Sequence, residues 1–308
     1  MNYHYSIIVP HYNDSKRLKR LLSSIPLNRK DIQTIIVDDC SPDQKALDDL
    51  KSLFSNVTWL STTSNGGAGK ARNAGLKIAS GKYLLFADSD DEFTKNAFDI
   101  LDETIKDGDE LCYFLAEAKN ENLGHSNRAD ILNNLCFNYL SKKSKDSLVM
   151  LKLGHVVPWA KVYKLSVIKN YGIEFDEIKY SNDVAFNVIS SFKVKNTRVI
   201  PKIIYKIYRR SGSLTTHESS EIFLSRFNVL VKLSERLKNE NIPYRPSATG
   251  YLVRSVKYGP KVFLVVLYIS FKSDLKINIL RLFDFKRWYY YLKDSKRTSK
   301  ELKSLDNK

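Results

Sequence analysis

The chain predicts an α/β fold: a mostly parallel central sheet with flanking helices, followed by a basic, mainly helical C-terminal segment. Three observations carry this. Over the first hundred residues, short β-branched runs alternate with stretches of helical spacing, as in βαβ units. Polar clusters stand where the apolar runs stop: Pro10-His11-Tyr12-Asn13, Asp38-Asp39 and Asp88-Ser89-Asp90. In parallel sheets, ligands sit at the carboxyl ends of strands. Finally, the composition shifts after the Pro243 to Pro246 stretch: from Tyr251 to Lys308, 14 Lys/Arg stand against 5 Asp/Glu.

The elements follow in order. Tyr5 to Val9 reads as a strand, cut by Pro10. Asp14 to Ser24 has helical spacing (Leu18, Leu21, Leu22), with Asn13 or Asp14 as its cap. Thr34 to Val37 is a second strand, stopped by Asp38-Asp39; Pro42 to Phe54 is helical; Val57 to Leu60 is a third strand. The run Gly66-Gly67-Ala68-Gly69 leads into a helix from Ala71 to Ala79, and Tyr83 to Ala87 is a fourth strand. Beyond Phe93 the pattern is less regular. Helices are expected at Ala97 to Ile105, Asp130 to Leu140 and Phe223 to Leu237, strands at Leu111 to Ala116 and Val199 to Tyr208, and a turn at Gly172. Helical apolar runs laced with Lys and Arg are expected from Leu252 to Leu292.

Composition narrows the class. At 308 residues and 43% apolar content, the chain can bury a large core and carry one domain with an appendage, or two domains. Cys40, Cys112 and Cys136 show neither CxxC spacing nor an even count, so they read as reduced thiols in a cytosolic protein. No signal peptide is expected, because Met1 to Tyr5 is polar and the following apolar run ends at Pro10. No run reaches the roughly 18 residues of a membrane span. The net charge is +16 and uneven, and the basic segment from Tyr251 to Lys308 implies an anionic partner: membrane lipid, nucleic acid or polyphosphate.

The richest motif is Gly81 to Asp91, where an apolar strand ends in three carboxylates within four residues. On an extended segment Asp88 and Asp90 would face one side, and like charges this close favour a cation. Hard divalent ions bind through one or two carboxylates plus substrate phosphate oxygens. A metal-held phosphate or diphosphate is therefore expected there, against the alternative of an Asp-rich turn bonded to its own backbone. Asn65 to Arg72 is glycine-rich and opens a helix, but Ser64 and Ala71 break the P-loop pattern. The dinucleotide fingerprint also fails, lacking its third Gly. The glycines either bring backbone close to a ligand with Arg72 aimed at it, or make a tight turn. Asp38-Asp39 can accept bonds from a base or ribose, or cap a turn. Asp183 is a candidate general base, or an ordinary N-cap. Arg209-Arg210-Ser211-Gly212-Ser213 is suited to phosphate oxygens or is a solvated turn, and His217 is a candidate metal ligand. His4, His11, His125 and His155 show no zinc spacing.

Together, Pro10-x-Tyr12-Asn13, Val37-Asp38-Asp39-x-Ser41, Asn65-x-Gly67-x-x-x-Ala71-Arg72-Asn73-x-Gly75 and Gly81-x-Tyr83-x-x-Phe86-x-Asp88-x-Asp90-Asp91 resemble family 2 glycosyltransferases with the GT-A (Rossmann-like) fold, of the bacterial surface-polysaccharide class. The order and spacing match over roughly residues 4 to 110. The resemblance continues through Trp159-x-Lys161-x-Tyr163, Gly172-Ile173-x-Phe175-Asp176-Glu177 and Asn182-Asp183-Val184-x-Phe186. The family usually shows Glu-Asp or Asp-Asp where this chain has Asn182-Asp183.

The resemblance implies an inverting transfer of a hexose or N-acetylhexosamine from a UDP-sugar to a hydroxyl of a lipid-linked glycan, in O-antigen or capsule synthesis. It implies a nucleotide-sugar half (residues 1–110), an acceptor half (111–242) and an extension (243–308). Pro10, Tyr12, Asp39 and Arg72 would line the uridine pocket, with Asn13, Gly67 and Ser89 beside them. Asp88 would touch ribose and metal, and Asp90 would bind Mn²⁺ or Mg²⁺. Asp183 would be the catalytic base. Arg210 and Ser213, with His217 on the metal, would close over the diphosphate.

The basic tail, with Trp288 and Tyr289-Tyr290-Tyr291, suits an anionic membrane surface, so a peripheral protein on the cytoplasmic face is expected. The alternative is a basic subdomain packed on the catalytic domain. A metal-dependent nucleotidyltransferase is a rival reading, but it would place a Gly-rich loop directly after the first strand. A nucleic-acid-binding module explains the charge but not the carboxylates at strand ends, so no nucleic-acid partner is expected.

Overall fold

The computed structural model describes residues 3–120, 124–125, 129–209 and 219–278. The chain divides into two compact units, Met1–Arg209 and Arg210–Lys308, so the Pro243 to Pro246 stretch lies inside the second unit.

In the first unit, β1 (Tyr5–His11), α1 (Ser15–Ser23), β2 (Ile32–Asp38), α2 (Gln44–Leu53), β3 (Thr58–Ser61), α3 (Gly67–Ile78) and β4 (Tyr83–Phe86) alternate as expected. Then come β5 (Glu92–Phe93), α4 (Ala97–Thr104), β6 (Leu111–Asn120), β7 (Gly124–His125), α5 (Asp130–Lys142), α6 (Lys145–Gly154), β8 (Lys161–Lys164), α7 (Leu165–Asn170), α8 (Val184–Lys193) and β9 (Thr197–Arg209). The sheet runs β3-β2-β1-β4-β8-β6-β9-β5, with β7 paired to β6. β3, β2, β1 and β4 pair in parallel, as do β6 and β9. The antiparallel pairings involve β8, β5 and β7.

Ile7, Ile8, Val9, Ile35, Ile36 and Val37 are all fully buried. Such continuous apolar runs, rather than alternating ones, belong to strands covered on both faces. Each of these side chains contributes about 1.5–3 kcal/mol by burial. The strand order reverses between β1 and β4: β1 leads outward to β2 and β3, and β4 returns to β1's other side. In open α/β sheets the ligand crevice opens at such a switch point, beyond the strand carboxyl ends. Those ends carry Tyr12-Asn13 and Asp88-Ser89-Asp90.

Two local expectations change. The helix expected from Ala71 begins at Gly67, so the glycine-rich run is its first turn rather than a loop ahead of it. The aspartate segment is not extended. Asp91 N–H donates to Asp88 C=O at 3.1 Å, which closes a turn.

The second unit contains α9 (Ser220–Asn239), α10 (Thr249–Ser255) and α11 (Pro260–Lys272). Phe223, Phe227, Ala248, Leu252, Val266 and Leu275 form its core. The helical runs expected from Leu252 break at Gly259, and the part beyond residue 278, Trp288 and the Tyr run included, lies outside the described residues.

Candidate active site

The residues at the strand ends are fixed by their neighbours before any ligand is considered. Pro10 and His11 close β1 in register with Val37 and Asp38. Asp38 is buried and accepts from the Ser41 N–H at 3.0 Å and from the Ser41 hydroxyl. That hydroxyl oxygen in turn accepts from Asn13 N–H at 2.7 Å. Asn13 (φ 48°) and Cys40 (φ 64°) take left-handed backbone here, and Ser181 (φ 56°) does so two residues before Asp183. Such residues cost of order 1–3 kcal/mol each and concentrate at functional sites. Tyr12 is half exposed.

Asp39 ties this rim to the start of α3. Its buried carboxylate accepts from Gly66 N–H at 3.1 Å, Gly67 N–H at 2.6 Å and the Thr62 hydroxyl at 2.8 Å. A carboxylate here satisfies orphan donors of the helix start and meets the positive end of its dipole. Gly67 has φ +83°, a conformation that other residues rarely take. Gly69 is required for a different reason: a Cβ there would lie 2.2 Å from the Asp176 carbonyl oxygen. The glycine of this motif thus admits another stretch of the chain, the one that leads to Asp183.

Arg72, one turn on, is the hub. It is 5% exposed. One guanidinium nitrogen donates to Asp88 Oδ1 at 2.6 Å and the other to Asn182 Oδ1 at 3.0 Å. Its plane lies 5.2 Å above the Phe175 ring. Asn73 beside it grips the same stretch, accepting from Phe175 N–H at 2.9 Å and donating to Phe175 C=O at 3.0 Å. The structure therefore brings Arg72, Asp88, Asn182 and Asp183 together from positions far apart in the chain.

The aspartate turn is pinned from below. Asp88 N–H donates to the Tyr205 hydroxyl at 2.8 Å, and Tyr205 stacks on Trp159 at 5.7 Å. Asp91 is buried and accepts from Tyr208 N–H at 2.9 Å, which gives it a structural task. Arg20 donates to the Asp90 carbonyl and lies 3.7 Å over the Tyr208 ring. Ser89 sits in the turn between Asp88 and Asp90.

Asp183 precedes α8, yet its side chain makes no capping bond. Burial pushes its carboxyl above the usual range; Arg72 and, more weakly, Lys161 pull it back, while Asp88 adds to the rise. Beneath it lies a network that sequence reasoning missed. Buried Lys161 donates to Asn187 Oδ1 at 2.8 Å and to His155 C=O at 2.5 Å. The Tyr163 hydroxyl donates to the same Asn187 oxygen at 2.7 Å, and Asn187 Nδ2 donates to Asp183 C=O at 2.8 Å. The available signal was a lysine set between Trp159 and Tyr163 in a strand-like run.

A divalent ion at this rim is testable against the donor set. Asp88 and Asp90 bear the hard carboxylate oxygens that a cation completed by substrate phosphate would take. Asp88 Oδ1 is engaged by Arg72 at 2.6 Å, so an ion held by Asp88 would have to use Oδ2. Among the described residues no three His, Cys, Asp or Glu side chains form a metal cluster. Arg210, Ser213 and His217 lie outside the described residues.

The family model described as Glycosyl transferase family 2 matches residues 6–172, the segment that holds the switch-point strands and the aspartate turn. This chain belongs to glycosyl transferase family 2. The glycosyltransferase is 27% identical over 222 residues to the poly(ribitol-phosphate) beta-N-acetylglucosaminyltransferase TarS of Staphylococcus aureus, covering 68% of this chain and 36% of TarS. It thus spans about a third of that relative's length. It is 26% identical over 280 residues to the S. aureus poly(ribitol-phosphate) beta-N-acetylglucosaminyltransferase TarP, covering 83% of this chain and 80% of TarP. Its fold matches that of S. aureus TarS residues 1–349, solved in complex with UDP-GlcNAc, with a TM-score of 0.57 at 20% identity, covering 97% of this chain and 81% of the other. The GT-A architecture expected from the motifs is thereby shown. The fold also matches that of a Pyrobaculum calidifontis mannosyltransferase solved in complex with GDP-Man and Mn²⁺ (TM-score 0.50, 12% identity, covering 88% of this chain and 69% of that one).

Proposed function

We propose that this enzyme moves a hexose or N-acetylhexosamine from a UDP-sugar to a hydroxyl of a glycan acceptor, with inversion, in the synthesis of a bacterial surface polysaccharide. The observation that carries the reading is the Arg72 hub, which couples the aspartate turn to Asn182 beside an uncapped Asp183. The names of the relatives above support a UDP-linked donor and a polymeric surface glycan as acceptor. An acceptor built on a lipid carrier, as in O-antigen or capsule assembly, would place the reaction at the inner face of the cell membrane.

In this reading Pro10, Tyr12 and Asn13 at the β1 end receive the nucleotide, with Asp39 and Gly67 shaping the wall opposite. Asp183 accepts the proton of the acceptor hydroxyl. The freed oxygen lone pair forms the new bond to the anomeric carbon, while the bond from that carbon to the diphosphate oxygen breaks and its electron pair leaves with UDP. Attack from the face opposite UDP inverts the centre. Asp88 and Asp90 would hold Mn²⁺ or Mg²⁺, which supplies Lewis-acid stabilisation of the departing diphosphate. Ser89, Arg210, Ser213 and His217 would complete the diphosphate and metal contacts.

The test is UDP release from a panel of UDP-sugars with Mn²⁺ or Mg²⁺, alongside Asp183→Asn and Asp90→Ala. Asp183→Asn should bind donor normally yet lose transfer by at least a hundredfold, and Asp90→Ala should lose the metal response. Transfer at the wild-type rate by Asp183→Asn would remove that residue from the chemistry.

A further inference from the structure

The helix α11 is apolar on both faces. Its inner side, with Val266 and Ser270 buried and Val262, Phe263 and Ile269 beside them, packs on the core of the second unit. Its outer side shows Leu264 (60% exposed), Val265 (43%), Tyr268 (59%) and Phe271 (75%). These positions follow helical spacing and form one stripe. A helix that is apolar all round is normally covered on every side, so this stripe calls for an occupant.

Charge identifies the occupant. Lys257 and Lys261 stand at the start of the helix, and Lys272 and Lys276 at or just past its end. Lys272 Nζ lies 4.9 Å over the Tyr268 ring, so the ammonium sits at the edge of the apolar stripe. Between residues 251 and 278 the sole acid is Asp274, which pairs with Arg245 at 2.8 Å. A second copy of the chain would bring the same lysines against one another across a two-fold interface. Residues 279–308 carry 9 Lys/Arg against 4 Asp/Glu, so they too oppose this charge. An anionic bilayer offers apolar depth and negative headgroups at once. No helix among the described residues is long and apolar enough to cross a membrane, and α11 spans 13 residues, which suits lying in the interface.

We propose that α11 is an interfacial helix, sinking Leu264, Val265, Tyr268 and Phe271 into an anionic lipid surface while Lys257, Lys261, Lys272 and Lys276 reach its headgroups. The claim does not depend on the donor assignment, and UDP release in solution reads that assignment separately. The full chain is sedimented with phosphatidylcholine vesicles and with vesicles containing phosphatidylglycerol. Binding to the anionic vesicles is expected, weakening with salt. It should fall at least tenfold in L264S/Y268S/F271S and again in K257Q/K261Q/K272Q/K276Q, with thermal unfolding unchanged. If the triple variant fails to fold, Phe271→Ser alone, at the most exposed position, should still weaken binding severalfold. Undiminished binding by these variants, or absence of binding by the wild type, overturns the proposal. So does a dimer that L264S/Y268S/F271S converts to monomer without changing lipid affinity.

Discussion

Replacing Gly69 by Ala tests the central geometric claim, that α3 and the stretch leading to Asp183 are held at closest approach. The added Cβ would sit 2.2 Å from Asp176 O, 3.1 Å from its carbonyl carbon and 3.2 Å from Asn182 Cβ. Real Cβ atoms essentially never approach another heavy atom within 3.0 Å, so the stretch must retreat by about 1 Å, and the obstacle is backbone, which cannot swing aside as a side chain does. Asn73 and Arg72 resist that retreat through their bonds to Phe175 and Asn182. Overpacking of this kind costs about 1–3 kcal/mol. That is offset by up to ~1 kcal/mol of helix propensity gained by Ala over Gly. A net loss of about 0–3 kcal/mol is therefore expected in urea unfolding. The catalytic effect is larger, since a displacement of about 1 Å at a reacting group costs on the order of a hundredfold. Steady-state UDP release should show kcat reduced by that factor, with KM for the donor changed little. Gly250→Ala, whose new Cβ meets nothing within 4 Å, is the control and should leave kcat unchanged. Wild-type kcat in Gly69→Ala would refute the reasoning, because the proposed base Asp183 would then tolerate movement of its own support.

Further outcomes are expected. Because burial raises the Asp183 carboxyl, activity should fall with decreasing pH at a value above the ordinary ~3.9 of an aspartate. The sign for stability is opposite: the folded state holds this proton more tightly, so stability declines as pH rises through the gap. Asp183→Asn should consequently melt higher than wild type at neutral pH, and a lower melting temperature would contradict the burial argument. His11 and His155 are buried and held neutral by desolvation, His155 strongly so. The unfolded chain protonates first, so stability should fall as pH drops below ~6.5, by about 1.4 kcal/mol per pH unit for each histidine. Urea titrations from pH 7 to 5 of wild type and His155→Phe check this, the variant showing the shallower slope. Lys161→Met should lower kcat at least tenfold with donor KM within about twofold, since Asn187 loses one of the donors that orient it against Asp183. An unaltered kcat would assign Lys161 to folding alone.

The sequence by itself determined the alternation of the first four strands with their helices, because continuous apolar runs and helical periodicity are local patterns that each segment carries alone. It also placed the polar clusters at strand ends and, through motif order, the family. It did not determine which strands are neighbours. The β3-β2-β1-β4 order, which puts the crevice between β1 and β4, follows from pairing across the sheet rather than from any one segment. Local reasoning misjudged two details for the same cause. The aspartate segment turns because Asp91 ties it to β9 and to its own backbone and Arg20 ties it to α1, and α3 starts at Gly67 because Asp39, 28 residues earlier, caps it. The role of Gly69 was visible only once Asp176 stood against it. Arg72, Asp88, Asn182 and Lys161 look like ordinary polar residues until folding gathers them. Burial makes their charges and hydrogen bonds count, and burial is a property of the packed molecule rather than of any segment of its chain.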